Sequence, residues 1–409
     1  MTNFFIIGIS DNANPWFPPE VMEIIHSGRV FSGGKRHHDI VAPLLPEGAR
    51  WIDIVAPLDT VFAQYTPPEI IVFASGDPLF FGFANTIRRR MPEARIVVYP
   101  AFNSLQTLAH RLLMAYDDMR TVSLTGRPWP AFDRALIEGA DKIGILTDRA
   151  HSPAAIAARM LDYGYSDYTM HIGERLGNRQ EERIATLTLA EALQRDYDDP
   201  NCIILTRTEG AAGGVGGCRR QASPGIPDSA FVRLDGREKM ITKMPIRLLT
   251  LQALGLSRRH CLWDIGACTG SVSIEARRMF PHLRIDAFEI RPACEAIIRE
   301  NARRLGAPGI ELHMGDFLEA DCDGIAAAPP DAVFIGGHSG RLKEIMAKVL
   351  RYLAPDGCIV MNSVEAPRVR IDSRALWYEA CETLGLTQAT PMRIQLNDYH
   401  PITILTCRR

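Results

Sequence analysis

The sequence predicts an α/β protein of two domains, and three observations carry that reading. Apolar segments of strand length stop repeatedly at small polar or glycine-containing loops, and helix-like patterns follow them. One composition shift interrupts the chain: Gly210 to Gly217 reads Gly-Ala-Ala-Gly-Gly-Val-Gly-Gly, and Ser223-Pro224-Gly225-Ile226-Pro227 adds breakers. The two halves carry different glycine motifs, with no internal repeat. A length of 409 residues suits two or three domains. The expected division is 1–207, a linker over 208–237, and 238–409.

In the first half, Phe4 to Ile9 reads as a buried strand, followed by a proline-rich loop to Pro19. Glu20 to His26 reads as a helix and Arg29 to Phe31 as a short strand. Ser32-Gly33-Gly34-Lys35-Arg36-His37-His38-Asp39 is either an anion-holding turn or a solvated turn before a helix. Glu69 to Ala74 is a strongly apolar strand ending in Ser75-Gly76-Asp77-Pro78. There Asp77 fits a helix cap, with Pro78 at the first helical position of a helix over Leu79 to Met91. Arg95 to Tyr99 is the next strand, then the loop Ala101-Phe102-Asn103-Ser104 and a helix over Leu105 to Leu113. Thr121 to Leu124 and Lys142 to Leu146 end at Thr125-Gly126-Arg127 and Thr147-Asp148, and Cys202 to Thr206 closes the half.

In the second half, Met240-Ile241-Thr242-Lys243 leads into a helix over Met244 to Leu254. The apolar segment Cys261 to Trp263 enters the loop Asp264-Ile265-Gly266-Ala267-Cys268-Thr269-Gly270, and a helix follows from Ser271 to Phe280. A strand, a glycine turn and a helix let backbone approach a ligand and present unpaired N–H groups to it. Asp264 narrows the ligand. An acid here would repel the pyrophosphate of NAD but suits the ammonium and sulfonium of S-adenosylmethionine (SAM). Glu289, closing the apolar stretch Arg284 to Phe288, is placed to accept both ribose hydroxyls. After the helix Ala293 to Leu305 and the strand Ile310 to Met314, Asp316 is placed to accept from the adenine amine. Asp331 to Ile335 ends in Gly336-Gly337-His338-Ser339-Gly340. Helix 341–353 keeps Leu342, Ile345, Met346, Val349, Leu350 and Leu353 on one face. Cys358 to Met361 precedes Asn362-Ser363-Val364-Glu365. The succession fits the Rossmann-like fold of class I SAM-dependent methyltransferases.

A net charge of −2 argues against a dedicated nucleic-acid binder. Strand four ends Phe334-Ile335-Gly336-Gly337, unlike the Asn/Asp-Pro-Pro-aromatic of base-amino methylases. The N-terminus MTNFFIIGIS has no basic flank and reads as a first strand; no apolar run is long enough to span a membrane, so a cytoplasmic protein is expected. All nine cysteines lie from Cys202 onward with no C-x-x-C pair, which suits reduced thiols, and no metal site is expected.

Ala74-Ser75-Gly76-Asp77-Pro78, Pro100-Ala101-Phe102-Asn103-Ser104-Leu105, Ser123-Leu124-Thr125-Gly126-Arg127 and Gly173-Glu174-Arg175-Leu176-Gly177 resemble the tetrapyrrole methylase family, over roughly residues 1–205. Within it they resemble the branch that methylates C5 of the precorrin ring. The chain departs from the family at Gly8-Ile9-Ser10-Asp11-Asn12, where Gly-Pro-Gly-Asp is usual. This resemblance implies that Ser75, Gly76, Asp77, Asn103 and Ser104 lie near SAM. Ile241-Thr242-Lys243, the run from Asp264 to Glu275, and Phe334-Ile335-Gly336-Gly337 resemble the C15-methylating, decarboxylating domains of cobalamin biosynthesis, over roughly 238–409. That implies SAM contacts at Thr242, Asp264, Gly266, Ala267, Cys268, Thr269, Gly270, Glu289 and Asp316. Cys268 replaces the usual middle glycine. Its backbone is expected to keep a negative φ, its side chain to turn from the ligand, and its thiol to serve packing.

Together the resemblances imply a bifunctional methyltransferase of corrin-ring synthesis. It would methylate C5 and C15 of precorrin-6B, or its cobalt form, and decarboxylate the ring C acetate to give precorrin-8. Self-association is expected, with no nucleic-acid or membrane partner. Lys35, Arg36, Arg127, Arg247 and Arg341 are candidate partners for the substrate carboxylates by charge. His338 and Glu365, at the ends of strands four and five, are where a proton-transfer group would sit. The alternatives are a SAM-dependent methyltransferase acting on RNA or another small molecule, and a non-catalytic SAM-binding scaffold.

Overall fold

The structure, a computed structural model, describes residues 2–208, 224–237, 240–365, 372–397 and 400–409. The glycine run Gly210 to Gly217 lies outside them. The chain packs as two units. The first comes from the chain before residue 210, apart from Trp129–Ala140 and Met160–Ser166, which group with the second.

The first unit opens with β1 (Asn3–Ile9), α1 (Pro19–Ser27), β2 (Val30–Gly33), α2 (Lys35–Val41), β3 (Arg50–Asp53), α3 (Leu58–Phe62), β4 (Glu69–Ser75), α4 (Phe83–Arg90) and β5 (Arg95–Tyr99). Its strands form one parallel sheet in the order β3-β2-β4-β1-β5. β1 and β4, at its centre, bury Phe4, Ile6, Ile7, Ile70, Ile71, Val72 and Phe73, as strands covered on both faces must. The chain then runs through α5 (Ser104–Arg111), β6 (Arg120–Ser123), α6 (Pro130–Ile137, which groups with the second unit), β7 (Lys142–Leu146), α7 (Pro153–Asp162), β8 (Tyr168–Glu174), β9 (Arg183–Thr188), α8 (Leu189–Ala192) and β10 (Asn201–Arg207). The second sheet, β6-β7-β10-β8-β9, is antiparallel except for β6 with β7.

One helix starts later than its sequence suggests. Asp77 does not cap α4; its Oδ1 accepts from the Leu79 N–H at 2.8 Å, and Gly82 stands at the cap. The chain between Asp77 and the helix turns left-handed at Phe81, φ +53°, a conformation a right-handed helix cannot include, so the helix begins after it.

The second unit holds α9 (Met244–Leu254), β11 (Cys261–Ile265), α10 (Ser271–Met279), β12 (Arg284–Glu289), α11 (Ala293–Arg304), β13 (Ile310–Met314), β14 (Ala332–Ile335), α12 (Leu342–Tyr352), β15 (Cys358–Val364), α13 (Ser373–Leu384), β16 (Thr387–Gln388), β17 (Met392–Ile394) and β18 (Ile402–Arg408). The strand order is β13-β12-β11-β14-β15-β18-β16, with β17 also on β18. The first five are parallel and β18 runs antiparallel to β15. This is the Rossmann-like arrangement expected of the second half. The order reverses between β11 and β14, which opens a crevice at their carboxyl ends.

Residues 224–237, inside the stretch read as linker, are packed here. Phe231 is buried, and Val232 exchanges backbone hydrogen bonds with the Asn301 amide. Among the described residues, no helix is long and apolar enough to cross a membrane.

Candidate functional site

β11 is buried along its whole length, so the chain must turn sharply as it leaves the sheet. Gly266 makes that turn with φ +81°. A Cβ on it would stand 2.7 Å from the Gly337 amide nitrogen, so the loops after β11 and β14 meet as closely as glycine permits.

Cys268 overturns an expectation. Its φ is +53°, in the left-handed region, where a non-glycine residue costs roughly 1–2 kcal/mol. What holds it there is local. Its N–H donates to Glu289 Oε2 at 2.7 Å, and its thiol donates to the Met240 carbonyl at 3.3 Å. Burial pushes that thiol up to about 12, so it is a packing group and not a nucleophile. Glu289, whose side chain is wholly buried, also accepts from the Arg291 N–H at 2.8 Å. These two bonds hold the carboxylate expected on a ribose against the loop, one on each of its oxygens.

A cavity of about 360 Å³ opens above this turn. Thr242, Asp264, Gly266, Ala267, Cys268 and Thr269 line it on the loop side, and Asn362, Val364, Leu396 and His400 face them. Asp264 Oδ2 accepts from Ser273 Oγ at 2.5 Å and from the Ser273 N–H at 3.2 Å. Burial raises this carboxyl to about 6. Thr269 Oγ1 is buried without a hydrogen-bond partner among the described residues. Gly270 stands outside the cavity wall, as the residue before α10.

A smaller pocket of about 40 Å³ lies on the other side of Gly266, lined by Phe288, Asp316, His338 and Arg341. Asp316 accepts from Arg341 Nη2 at 2.7 Å, which holds it below the usual carboxylate range. His338 shares a hydrogen bond with Ser373 Oγ at 2.9 Å, and burial lowers it. It is therefore not in the larger cavity. Glu365 reaches neither. It accepts from Thr403 Oγ1 at 2.7 Å and pairs with Arg393 and Arg374, partners that hold it below its ordinary range. Such a carboxylate ties β15 to β17 and α13 and is poorly suited to moving a proton. Arg247 is likewise no substrate partner. Fully buried, it donates to Glu275 at 3.0 Å and to the Thr242 carbonyl at 2.8 Å.

The first unit has its own cavity, of about 270 Å³, at the carboxyl ends of β1, β4 and β5. Ser75, Gly76, Asn103 and Ser104 line it with Asp11 and Arg36, whereas Asp77 does not. Gly76 sits where a Cβ would be 2.7 Å from Asn103 Cα, so the loops after β4 and β5 touch. Asn103 caps α5 through the Gln106 N–H at 3.0 Å. Asp11, nearly buried, accepts from Arg36 at 2.8 Å and from Arg175 at 2.9 Å, and Arg36 also donates to Ser75 Oγ. Lys35 is exposed; Arg127 donates to Ser123 Oγ and lies over the Phe81 ring.

Sequence reasoning missed the Asp11–Arg175 pair, Asn362 and His400. His400 follows a short polar stretch with no periodicity, and the antiparallel return of β18 brings it to the same cavity as the loop.

Residues 4–193 match the family model for tetrapyrrole (corrin/porphyrin) methylases, and residues 233–407 match the precorrin methyltransferase domain. A precorrin-6Y C(5,15)-methyltransferase [decarboxylating] of Sinorhizobium sp is 32% identical over 397 residues, covering 95% of this chain and 91% of that one. A cobalt-precorrin-6B C(15)-methyltransferase (decarboxylating) of Salmonella typhi is 32% identical over 194 residues, 45% of this chain and 96% of its own. The crystal structure of a precorrin-6y C5,15-methyltransferase from Geobacter metallireducens GS-15 has 33% identity and a TM-score of 0.38, covering 45% of this chain and 97% of that one. On the match to the Sinorhizobium protein across nearly its full length, the chain belongs to the family of decarboxylating precorrin-6Y C(5,15)-methyltransferases.

Proposed function

We propose that the chain is a bifunctional, SAM-dependent methyltransferase that methylates C5 and C15 of precorrin-6B, or its cobalt form, and removes the ring C acetate carboxyl to give precorrin-8. The observation that carries this is the pair of separate cavities, one per unit, each at the carboxyl ends of parallel strands. Two separate cavities suit two methyl transfers to different carbons, and the Sinorhizobium relative's name pairs the same two positions with decarboxylation.

The second cavity fits SAM on its own chemistry. Thr269 offers a buried hydroxyl with no partner among the described residues, and Asp264 offers an acid to a cationic ligand. Thr242, Asp264, Gly266, Ala267, Cys268 and Thr269 would hold it, with Asp316 towards the adenine end, while Glu289 and Gly270 keep the loop in shape. In the first unit Ser75, Gly76, Asn103 and Ser104 would do so. SAM supplies an already activated methyl group, so no protein nucleophile is required. The chain's residues orient the reactants and exclude water. Arg36 in the first unit and Arg341 in the second are the candidate arginines that line a cavity. Residues 1–207 and 238–409 are proposed as the two catalytic domains, in a cytoplasmic, self-associating enzyme.

Mass spectrometry of the product tests the reading. The purified chain with SAM and precorrin-6B should add two methyl groups and release one CO2. No change in mass with either the metal-free or the cobalt ring would refute it.

A further inference from the structure

We infer that His400 is the acid that delivers a proton to the acetate carbon as CO2 leaves, an inference that rests on the decarboxylating reading of the second unit. Loss of CO2 breaks the bond between the acetate methylene and its carboxyl carbon. The electron pair passes through the methylene carbon into the conjugated ring. A proton added at that carbon completes a methyl group. Methyl transfer at C15 replaces a C–H by a C–CH3 bond and frees one proton. One proton is released and one consumed, so the balance closes without an oxidant, a reductant or a further reactant.

The cavity walls leave few groups able to carry that proton. Among the described residues that line it, the titratable side chains are Lys243, Asp264, Cys268 and His400. Lys243 pairs with Asp228 at 3.6 Å. Asp264 is tied to Ser273 on the loop side, where the cationic methyl donor is expected. The Cys268 thiol is directed to the Met240 carbonyl. His338 opens into the smaller pocket, and Glu365 is spent on Thr403 and two arginines. His400 lines the cavity from the stretch that enters β18, three strands along the sheet from β11 and its glycine loop. Imidazole is the side chain suited to exchanging a proton near neutral pH. A substrate seated between loop and wall would present its far edge to His400. The same cavity is also lined by the apolar Val272, Phe334, Val364 and Ile402, which solvate a carboxylate poorly and favour its departure as CO2.

The test uses the full chain and its His400→Asn and His400→Gln variants, with SAM and precorrin-6B in deuterated water. Three readouts are taken: SAM binding by calorimetry, C5 methylation and CO2 release. The wild type should place one deuterium in the new ring C methyl group. Both variants should keep wild-type SAM binding and C5 methylation, which report folding of each unit. Their CO2 release should fall by about 100-fold or more, the usual weight of a general acid. CO2 release within about twofold of wild type in both variants would overturn the inference. So would joint loss of SAM binding and CO2 release, which marks His400 as part of the cavity wall. A wild-type chain that releases no CO2 would instead remove the decarboxylating reading, and the inference with it.

Discussion

Asp264→Asn should stabilise the ligand-free second unit near neutral pH while weakening its hold on SAM. Asp264 is 1% exposed, and burial raises its carboxyl from 3.8 to about 6. The native state thus holds its proton to higher pH than the unfolded chain does. Stability is highest below the unfolded value, falls as pH rises from about 4 to about 6, and stays at the lower level above that. A shift of about two units corresponds to about 3 kcal/mol. Asparagine can keep the two bonds from Ser273 through its carbonyl oxygen, without the buried charge. Urea unfolding of both proteins, followed by the fluorescence of the buried Trp263 and Trp377, measures the difference at pH 4.5, 5.5, 6.5 and 7.5. The variant should gain relative to wild type by up to about 3 kcal/mol between pH 4 and 6, and hold that gain at pH 7.5. A difference that stays constant across this range would refute the reasoning, since a solvated or fully compensated carboxylate gives no such slope. Calorimetry should show weaker SAM binding in the same variant, the usual tension between a functional charge and stability.

Gly266→Ala adds a Cβ at 2.7 Å from the Gly337 amide nitrogen at φ +81°; SAM binding by the second unit should fall beyond about tenfold in calorimetry while C5 methylation continues. Arg247→Met strands the buried Glu275 carboxylate and should cost about 3–5 kcal/mol in urea unfolding of the second unit; a cost under about 1 kcal/mol would mean the pair is dispensable. Arg36→Ala removes the cation between Asp11 and Ser75 and should slow C5 methylation by at least about tenfold, without slowing CO2 release from chemically prepared C5-methylated substrate.

Much of this fold is legible in the sequence because parallel strands are buried on both faces and read as unbroken apolar runs. Arg95–Tyr99, Lys142–Leu146 and Ile310–Met314 have the bounds that their composition indicates, as does the helix Met244–Leu254. β9 does not stand out: its residues are partly exposed, and it is held by pairing with β8, which no local pattern reveals. The start of α4 failed because the chain turns left-handed at Phe81, which no local pattern announces. In the site, glycine spacing points to the loop. The role of Glu289 depends on where a buried carboxylate finds its donors, and two of those are amides brought to it by the turn itself. The left-handed Cys268 is likewise a consequence of that closure.

The Arg247–Glu275 pair also bears on where the chain can be divided. Glu275 accepts from the Gly225 and Ile226 amides, each at 2.9 Å, while Arg247 donates to the Ile226 carbonyl and to Asp228. The stretch after the glycine run thus supplies part of the hydrogen-bond shell around a buried charge. A separately expressed second half that starts at 238 would leave Glu275 short of two donors, whereas one that starts ahead of Gly225 carries its full complement. Gene fission or domain exchange in this architecture therefore has a minimum overhang, set by a carboxylate some fifty residues downstream.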